Sequence, residues 1–218
     1  MSKRWVAIFL GIELACTSVL AGAYEDFFFA INQDNAAAVA SLIERGFDPN
    51  ALDPSGQHGL LLALQRKSVN VARVLTDIAG TDVEIRSAKD ESPLMLAALR
   101  GYLDVCIALL RRDADANKPG WTPLHYAATG GHVDVIQLLL ENHAYVDASS
   151  PNGSTPLMMA AMYGNVESVK ALLDAGADPN IKNDLGLTAL DFAKRGRKPD
   201  SAELLATHVR QLTTGGTW

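Results

Sequence analysis

The sequence reads TPLHYAATGGHVDVIQLLLENHAYVD from residue 122 to 147, and TPLMMAAMYGNVESVKALLDAGADPN from residue 155 to 180. The two stretches align without a gap at a spacing of 33 residues. In each, Thr-Pro-Leu opens a short apolar segment, a glycine closes it, and a second apolar segment with helical spacing follows. A fixed period of this length indicates a repeat architecture.

The same pattern extends in both directions from this pair. Ser92-Pro93-Leu94 and Thr188-Ala189-Leu190 open further units, and an alanine follows five residues after each start. Extended to both ends, this register contains six alanines, at intervals of 33, 34, 30, 33 and 33 residues: Ala30, Ala63, Ala97, Ala127, Ala160 and Ala193. The sequence therefore predicts six units of one supersecondary motif.

Each unit is predicted to form a helix, a turn, a second helix and an extended loop. Thr or Ser supplies a side-chain oxygen that caps the first helix, and proline favours its first turn. We expect Gly101, Gly131 and Gly164 to end the first helices in the left-handed conformation. The loops carry turn formers such as Asn152-Gly153. The predicted fold class is all-α, a solenoid of about six helix-turn-helix units with β-hairpin loops.

The chain resembles the ankyrin repeat proteins. The resemblance covers roughly residues 25 to 212 and is strongest in the units that begin at Thr122 and Thr155. It implies a stack of helix pairs with projecting hairpins and a concave surface that binds protein, and it implies no chemical activity. Among ankyrin proteins, the chain is similar to the small exported, periplasmic members of Gram-negative bacteria.

The first 23 residues have the layout of a signal peptide. Lys3 and Arg4 precede an apolar stretch, and Ala21-Gly22-Ala23 resembles a cleavage site. Two alternatives remain open: an uncleaved segment that anchors the chain in the inner membrane, and a lipid-modified Cys16. The predicted organisation is a signal peptide at 1–23 and a repeat domain at 24–218, with units at about 25–57, 58–91, 92–121, 122–154, 155–187 and 188–212, the last a terminal cap.

Composition excludes several classes of function. With 19 basic and 25 acidic residues, the formal charge of −6 disfavours nucleic acid as a partner. Two cysteines exclude a thiolate metal cluster, and we interpret Cys106 as a buried filler on an apolar helix face. The five histidines lack the helical spacing of a zinc site, and His125 and His132 match structural positions of the resembled family. We therefore expect no catalytic, cofactor-binding or metal-binding residues.

A binding surface is predicted from the resemblance, at hairpin tips and at the ends of the first helices. Trp121 is the predicted anchor, because exposed aromatic residues dominate binding hot spots. The alternative is that its indole folds back over the adjacent helix. The predicted contact residues are Trp121, Tyr163, Met162, Leu99, Arg100, Leu187, Ser154, Glu91, Arg66 and Gln57.

Three functions follow as hypotheses. The first is an exported, monomeric, non-enzymatic protein that binds a protein partner, such as an exported enzyme, without a small-molecule substrate. The second keeps this stack but tethers it to the inner membrane through an uncleaved amino terminus. The third is an enzyme that uses the Cys106 thiol or a histidine-bound metal.

Overall fold

A computed structural model describes residues 22–214, with side chains placed as far as Leu212. Within these residues the fold is an all-α repeat solenoid with no strand, which confirms the predicted fold class. The chain divides at Ser87 into two compact units. The predicted signal peptide falls almost entirely outside the described residues, and its last two residues, Gly22 and Ala23, are helical.

The first unit contains two helix pairs, which are α1 (22–32), α2 (Ala36–Glu44), α3 (Gly59–Arg66) and α4 (Val69–Asp77). Its core is apolar, and Phe27, Ile31, Leu60 and Leu75 are completely buried. The two pairs are close because Gly59 has no side chain: a Cβ atom there would lie 2.9 Å from the Phe27 ring. This unit thus buries its core by packing one repeat on the next.

The second unit contains four helix pairs, which are α5 (Pro93–Arg100), α6 (Leu103–Leu110), α7 (Pro123–Gly130), α8 (Val133–Glu141), α9 (Pro156–Met162), α10 (Val166–Asp174), α11 (Ala189–Arg195) and α12 (Pro199–Thr214). Leucines that recur at the repeat spacing are completely buried, among them Leu94, Leu124 and Leu157. The first helices α5, α7, α9 and α11 pack side by side in chain order. They form the row that carries the candidate site.

The ends of these first helices follow the predicted capping chemistry with one exception. The side chains of Ser92, Thr122, Thr155 and Thr188 each accept a hydrogen bond from the backbone N–H three residues later. Gly101 and Gly131 end α5 and α7 with φ of 70° and 72°, as predicted. The prediction for Gly164 was wrong, because α9 ends one residue earlier, at Met162, and Gly164 keeps a negative φ.

The predicted β-hairpins are reduced to tight turns. Ser150 N–H donates to the Ser154 carbonyl at 3.0 Å, and Asn183 N–H donates to the Leu187 carbonyl at 3.0 Å. In the described residues the only β-type pairing is an isolated bridge between Leu52 and His58. The loops therefore present turn residues rather than long strands.

Candidate protein-binding groove

An apolar groove lies on the row of first helices in the second unit. Its volume is about 230 Å³, and its walls come from α5, the loop before α7, α7 itself and α9. We define the groove by its five lining residues: Leu99, Trp121, Tyr126, Thr129 and Met159. Sequence reasoning had selected Leu99 and Trp121 as contact residues, and the structure brings these two together.

Trp121 is half-buried and forms one wall of the groove. Its ring meets the His125 imidazole edge to face, with ring centroids 5.2 Å apart and planes at 76°. This arrangement is favourable for two aromatic rings. The indole therefore packs on the adjacent helix and also borders the open groove. This position combines the two alternatives that the sequence left open, an exposed anchor and an indole folded over the helix.

His125 holds that wall in place. It is completely buried; its Nε2–H donates to the Ser154 carbonyl at 2.9 Å, and its Nδ1 accepts from the Thr122 hydroxyl at 2.9 Å. Burial lowers the pKa of His125 to about 4, which keeps the imidazole neutral near pH 7. The predicted structural role of His125 is confirmed.

The two hydroxyl groups in the groove donate hydrogen bonds within the protein. The Tyr126 hydroxyl donates to Oε1 of Glu91 at 3.3 Å, and the Thr129 hydroxyl donates to the His125 carbonyl at 2.8 Å. Burial raises the pKa of Tyr126 to about 12, and the charges of Glu91 and Asp90 add to this effect. The phenol is therefore neutral at physiological pH, and the groove presents mainly apolar surface.

The remaining predicted contact residues have different positions. Glu91 is half-buried at the groove rim, and Arg100 is exposed one residue after Leu99. Met162, Tyr163 and Leu187 belong to the same unit but do not line the groove; Tyr163 is 54% exposed. Gln57 and Arg66 belong to the first unit, where Gln57 is half-buried and Arg66 exposed.

The prediction that Ser154 faces a partner was wrong. Ser154 is only 1% exposed, its N–H donates to the Ser150 hydroxyl at 3.0 Å, and its carbonyl accepts from His125. The residue closes a turn and fixes the neighbouring unit. Ser154 is buried because the turn folds back onto α7. Its place in the sequence, one residue before Thr155, does not show this.

Sequence reasoning missed Tyr126 and Met159. Each lies four residues after the threonine that opens its unit, directly after a completely buried residue. Those buried residues are His125 and Met158, at 0–1% exposure. Leu185, at the tip of a turn and 76% exposed, was also missed. A large side chain repeated at the fourth position was the signal that could have identified the two groove residues.

The groups considered for chemistry do not form a site in the described residues. Cys106 is completely buried, and burial raises the pKa of its thiol to about 12, which confirms its interpretation as a core residue. His132 is half-buried and its Nε2 lies 3.1 Å from the Leu99 carbonyl. No group of three or more histidine, cysteine or acidic side chains is arranged to hold a metal within residues 22–214. Over the same range, no helix has the length and apolar character needed to cross a membrane.

The repeated helix pairs define a class of helical repeat proteins. A family model described as ankyrin repeats (3 copies) matches residues 27–119, 75–150, 94–183 and 143–214 in overlapping segments. The chain belongs to the ankyrin repeat family, whose repeats are protein–protein interaction modules.

Similar curated proteins contain this domain as part of a longer chain. The chain is 32% identical over 169 residues to the B-cell lymphoma 3 protein homolog of Mus musculus, covering 74% of this chain and 38% of that protein. It is 33% identical over 132 residues to the putative palmitoyltransferase ZDHHC13 of Danio rerio, covering 57% and 20%. It is 30% identical over 167 residues to neurogenic locus notch homolog protein 1 of Mus musculus, covering 73% and 7%. The chain thus spans well under half of these relatives.

Proposed function

We propose that this chain binds a protein partner through the groove formed by Leu99, Trp121, Tyr126, Thr129 and Met159, and acts by occupancy rather than by catalysis. The observation that carries the proposal is the groove itself, in which Trp121 packs on the buried His125 ring and the Tyr126 hydroxyl donates to Glu91. Rigid aromatic walls lose little conformational freedom on binding, which favours affinity.

The size of the groove favours a side chain of a protein over a small molecule. Sites for drug-sized ligands occupy roughly 300–1,000 Å³, whereas this groove measures about 230 Å³. A partner surface can place one large side chain in the groove and use the neighbouring ends of the first helices as a rim. Tyr163 and Leu185 offer exposed apolar surface elsewhere in the same unit for additional contact.

We further propose that the chain is exported to the periplasm and is monomeric. The support is the sequence of residues 1–23, which has the layout of a signal peptide. Amino-terminal sequencing of the purified protein tests this part. A chain that starts at Tyr24 supports export with cleavage, and a chain that retains residues 1–23 supports the membrane-tethered form.

Capture of partners from an extract of exported proteins tests the groove. The parent chain is compared with Trp121→Ala, which removes one wall, and with Tyr145→Ala as a matched control. Tyr145 is an aromatic residue of the same unit that is 67% exposed and does not line the groove. We expect one protein to be retained by the parent and by Tyr145→Ala and lost by Trp121→Ala, with thermal unfolding confirming that both variants fold. Equal retention by all three chains would exclude the groove as the binding site.

A further inference from the structure

A basic turn follows the first helix of the last repeat. Four cations lie within five residues: Lys194, Arg195, Arg197 and Lys198. Helix α11 ends at Arg195, and the next three residues lead into α12. Lys194, Arg195 and Arg197 are exposed, and none of the three forms an ion pair in the described part of the chain. We call residues 194–198 the basic turn.

Three of these cations have a role within the fold. Lys194 and Arg195 lie in the last turn of α11, where positive charge interacts favourably with the helix dipole. The Lys198 ammonium donates to the Gly164 carbonyl at 2.8 Å. Arg197 lies beyond the end of α11, and its exposed side chain has no such role.

The backbone of Arg197 adopts a conformation that favours glycine. Its φ is +55°, in the left-handed region. At the equivalent position of two other repeats, Gly101 and Gly131 have φ of 70° and 72°. A residue with a Cβ atom is disfavoured there, whereas glycine is not. Arg197 thus keeps a side chain where the repeat favours glycine, and retained strain of this kind points to a function for that side chain.

An exposed aromatic residue borders the basic turn. A Cβ atom on Gly196 would lie 2.5 Å from the Met162 carbonyl oxygen, and Lys198 reaches the Gly164 carbonyl. Tyr163 lies between these two contacted residues and is 54% exposed. The surface therefore combines an arginine-containing turn with an aromatic residue, and both residue types are enriched in protein interfaces.

The charge of this surface is local. Residues 191–200 carry the four cations and two aspartates, a net charge of +2, whereas the whole chain has a formal charge of −6. Asp191 accepts hydrogen bonds from Thr188, which lower its pKa, and the charges of Lys194 and Arg195 lower it further. A long polyanion would be repelled by the rest of the chain. A short acidic segment matches the extent of the positive charge.

We propose that the basic turn, together with Tyr163, binds a short segment of a partner protein that is rich in aspartate and glutamate. The Arg197 guanidinium pairs with one carboxylate of this segment, and Lys194 and Arg195 attract its neighbours. This inference rests on the proposed function, because the ligand belongs to a protein, and it assigns a contact surface outside the groove.

Two synthetic peptides test the charge requirement. Their central sequences are Glu-Asp-Ala-Asp-Glu and Gln-Asn-Ala-Asn-Gln, with capped ends, flanking glycines and an uncharged fluorophore. Binding to the full chain is measured by fluorescence anisotropy in about 20 mM salt. We expect the acidic peptide to bind about tenfold more tightly, because several exposed ion pairs each contribute modestly. This preference should shrink in about 0.5 M salt.

Two glycine substitutions separate a binding role of Arg197 from a structural one. Arg197→Gly should weaken binding of the acidic peptide about threefold without lowering the urea midpoint, because glycine is favoured in the left-handed region. Lys67→Gly is the matched control: Lys67 is the C-cap of α3 in the first unit, with a φ of 65°. It should leave peptide affinity unchanged. Arg197→Lys should retain most of the affinity.

A second pair of variants tests the aromatic part of the surface. Tyr163→Ala should weaken binding of the acidic peptide about twofold, because it removes exposed apolar contact area beside the turn. Tyr145→Ala, at another exposed tyrosine of the same unit, should retain the parental affinity.

The outcomes separate this inference from the function on which it rests. Equal affinity for the two peptides, or equal binding of the acidic peptide by the parent and Arg197→Gly, overturns the proposed surface. Tighter binding of a DNA duplex or of anionic lipid vesicles than of the acidic peptide also overturns it. In each case, loss of partner capture by Trp121→Ala still supports the groove as a protein-binding site. Failure of both experiments overturns the function as well.

Discussion

His125 makes the stability of the chain depend on pH. Its pKa falls from an ordinary value of 6.5 to about 4, because the folded state buries the imidazole. A group with a lowered pKa in the folded state resists protonation, so the unfolded chain takes up the proton first as pH falls. The contribution of the neutral, buried imidazole to the free energy of unfolding is complete above pH 6.5 and is lost between pH 6.5 and 4. A pKa shift of this size corresponds to about 3 kcal/mol.

Replacing His125 by methionine tests this coupling, since Met158 and Met95 occupy the equivalent positions of neighbouring units. We expect His125→Met to lower the free energy of unfolding at pH 7 by about 1–3 kcal/mol, because the buried Ser154 carbonyl loses one of its two donors. The fall in stability from pH 6.5 to 4 should be smaller than in the parent. Urea unfolding at a series of pH values measures both effects. A parental pH profile in His125→Met would show that another group controls the acid response.

Single residues also show how far the sequence could predict this structure. Thr122 and His125 were placed correctly, because a helix cap and its partner three residues later depend on local geometry. Ser154 was placed wrongly, because its burial depends on its turn folding back onto α7 of the preceding repeat. Tyr126 and Met159 were missed because the groove exists only where side chains from separate units meet.

At the scale of helices, Gly164 permits the close approach of α7 and α9. A Cβ atom there would lie 2.5 Å from the Ala128 carbonyl oxygen and 2.9 Å from the Ala160 carbonyl oxygen. These are backbone atoms, so relief requires the helices to separate. We expect Gly164→Ala to destabilise the chain by about 2–4 kcal/mol in urea unfolding.

Gly176→Ala is the control, because replacing this glycine has a different cost. Gly176 has a φ of +90° but nothing within 4 Å of its Cβ position, so alanine there meets backbone strain alone. We expect a cost of about 1–2 kcal/mol. A larger loss for Gly176→Ala than for Gly164→Ala would contradict the steric explanation.

A recurring asparagine joins the loops of successive repeats by hydrogen bonds, and Asp147 takes its place in one of these loops. The Asn117 amide donates to the His143 carbonyl and accepts from Tyr145 N–H, both at 2.8 Å. In the first unit, Asn50 makes the same pair of bonds with Gly80 and Asp82. Asp147 only accepts, from Asp178 N–H at 3.2 Å, and burial and the Asp178 charge raise its pKa.

Asp147→Asn should therefore stabilise the chain at pH 7 by about 0.5–1 kcal/mol, because the amide restores a donor and removes a partly buried charge. A raised pKa means that the cost of the ionised form disappears as pH falls through the folded-state pKa. The gain should accordingly be smaller near pH 4 than at pH 7. Urea midpoints for parent and variant measure it. The reverse substitution, Asn117→Asp, should destabilise at pH 7, and a gain there would contradict this role of the amide.

At the scale of the whole molecule, buried side chains in each repeat are shielded from solvent by the neighbouring repeats. A repeat cannot bury its apolar face alone, so an opening that exposes one core position disrupts contacts across units. Cys106 reports on this protection, because it is completely buried in α6 of the second unit. While it stays buried, its thiol also has a pKa raised to about 12, so little reactive thiolate forms near pH 8 in the folded chain.

We expect Cys106 in a Cys16→Ser variant to resist Ellman's reagent in the absence of denaturant and to react fully in high urea. Between these limits, the reacted fraction should rise with the same urea midpoint as the far-UV circular dichroism signal, because access requires loss of the helix packing around α6. A core-weakening substitution such as Gly164→Ala should shift both midpoints together. Rapid reaction of the folded chain would contradict this expectation and would support the enzymatic alternative, because a thiol that reacts while the helices remain intact must be accessible and partly ionised.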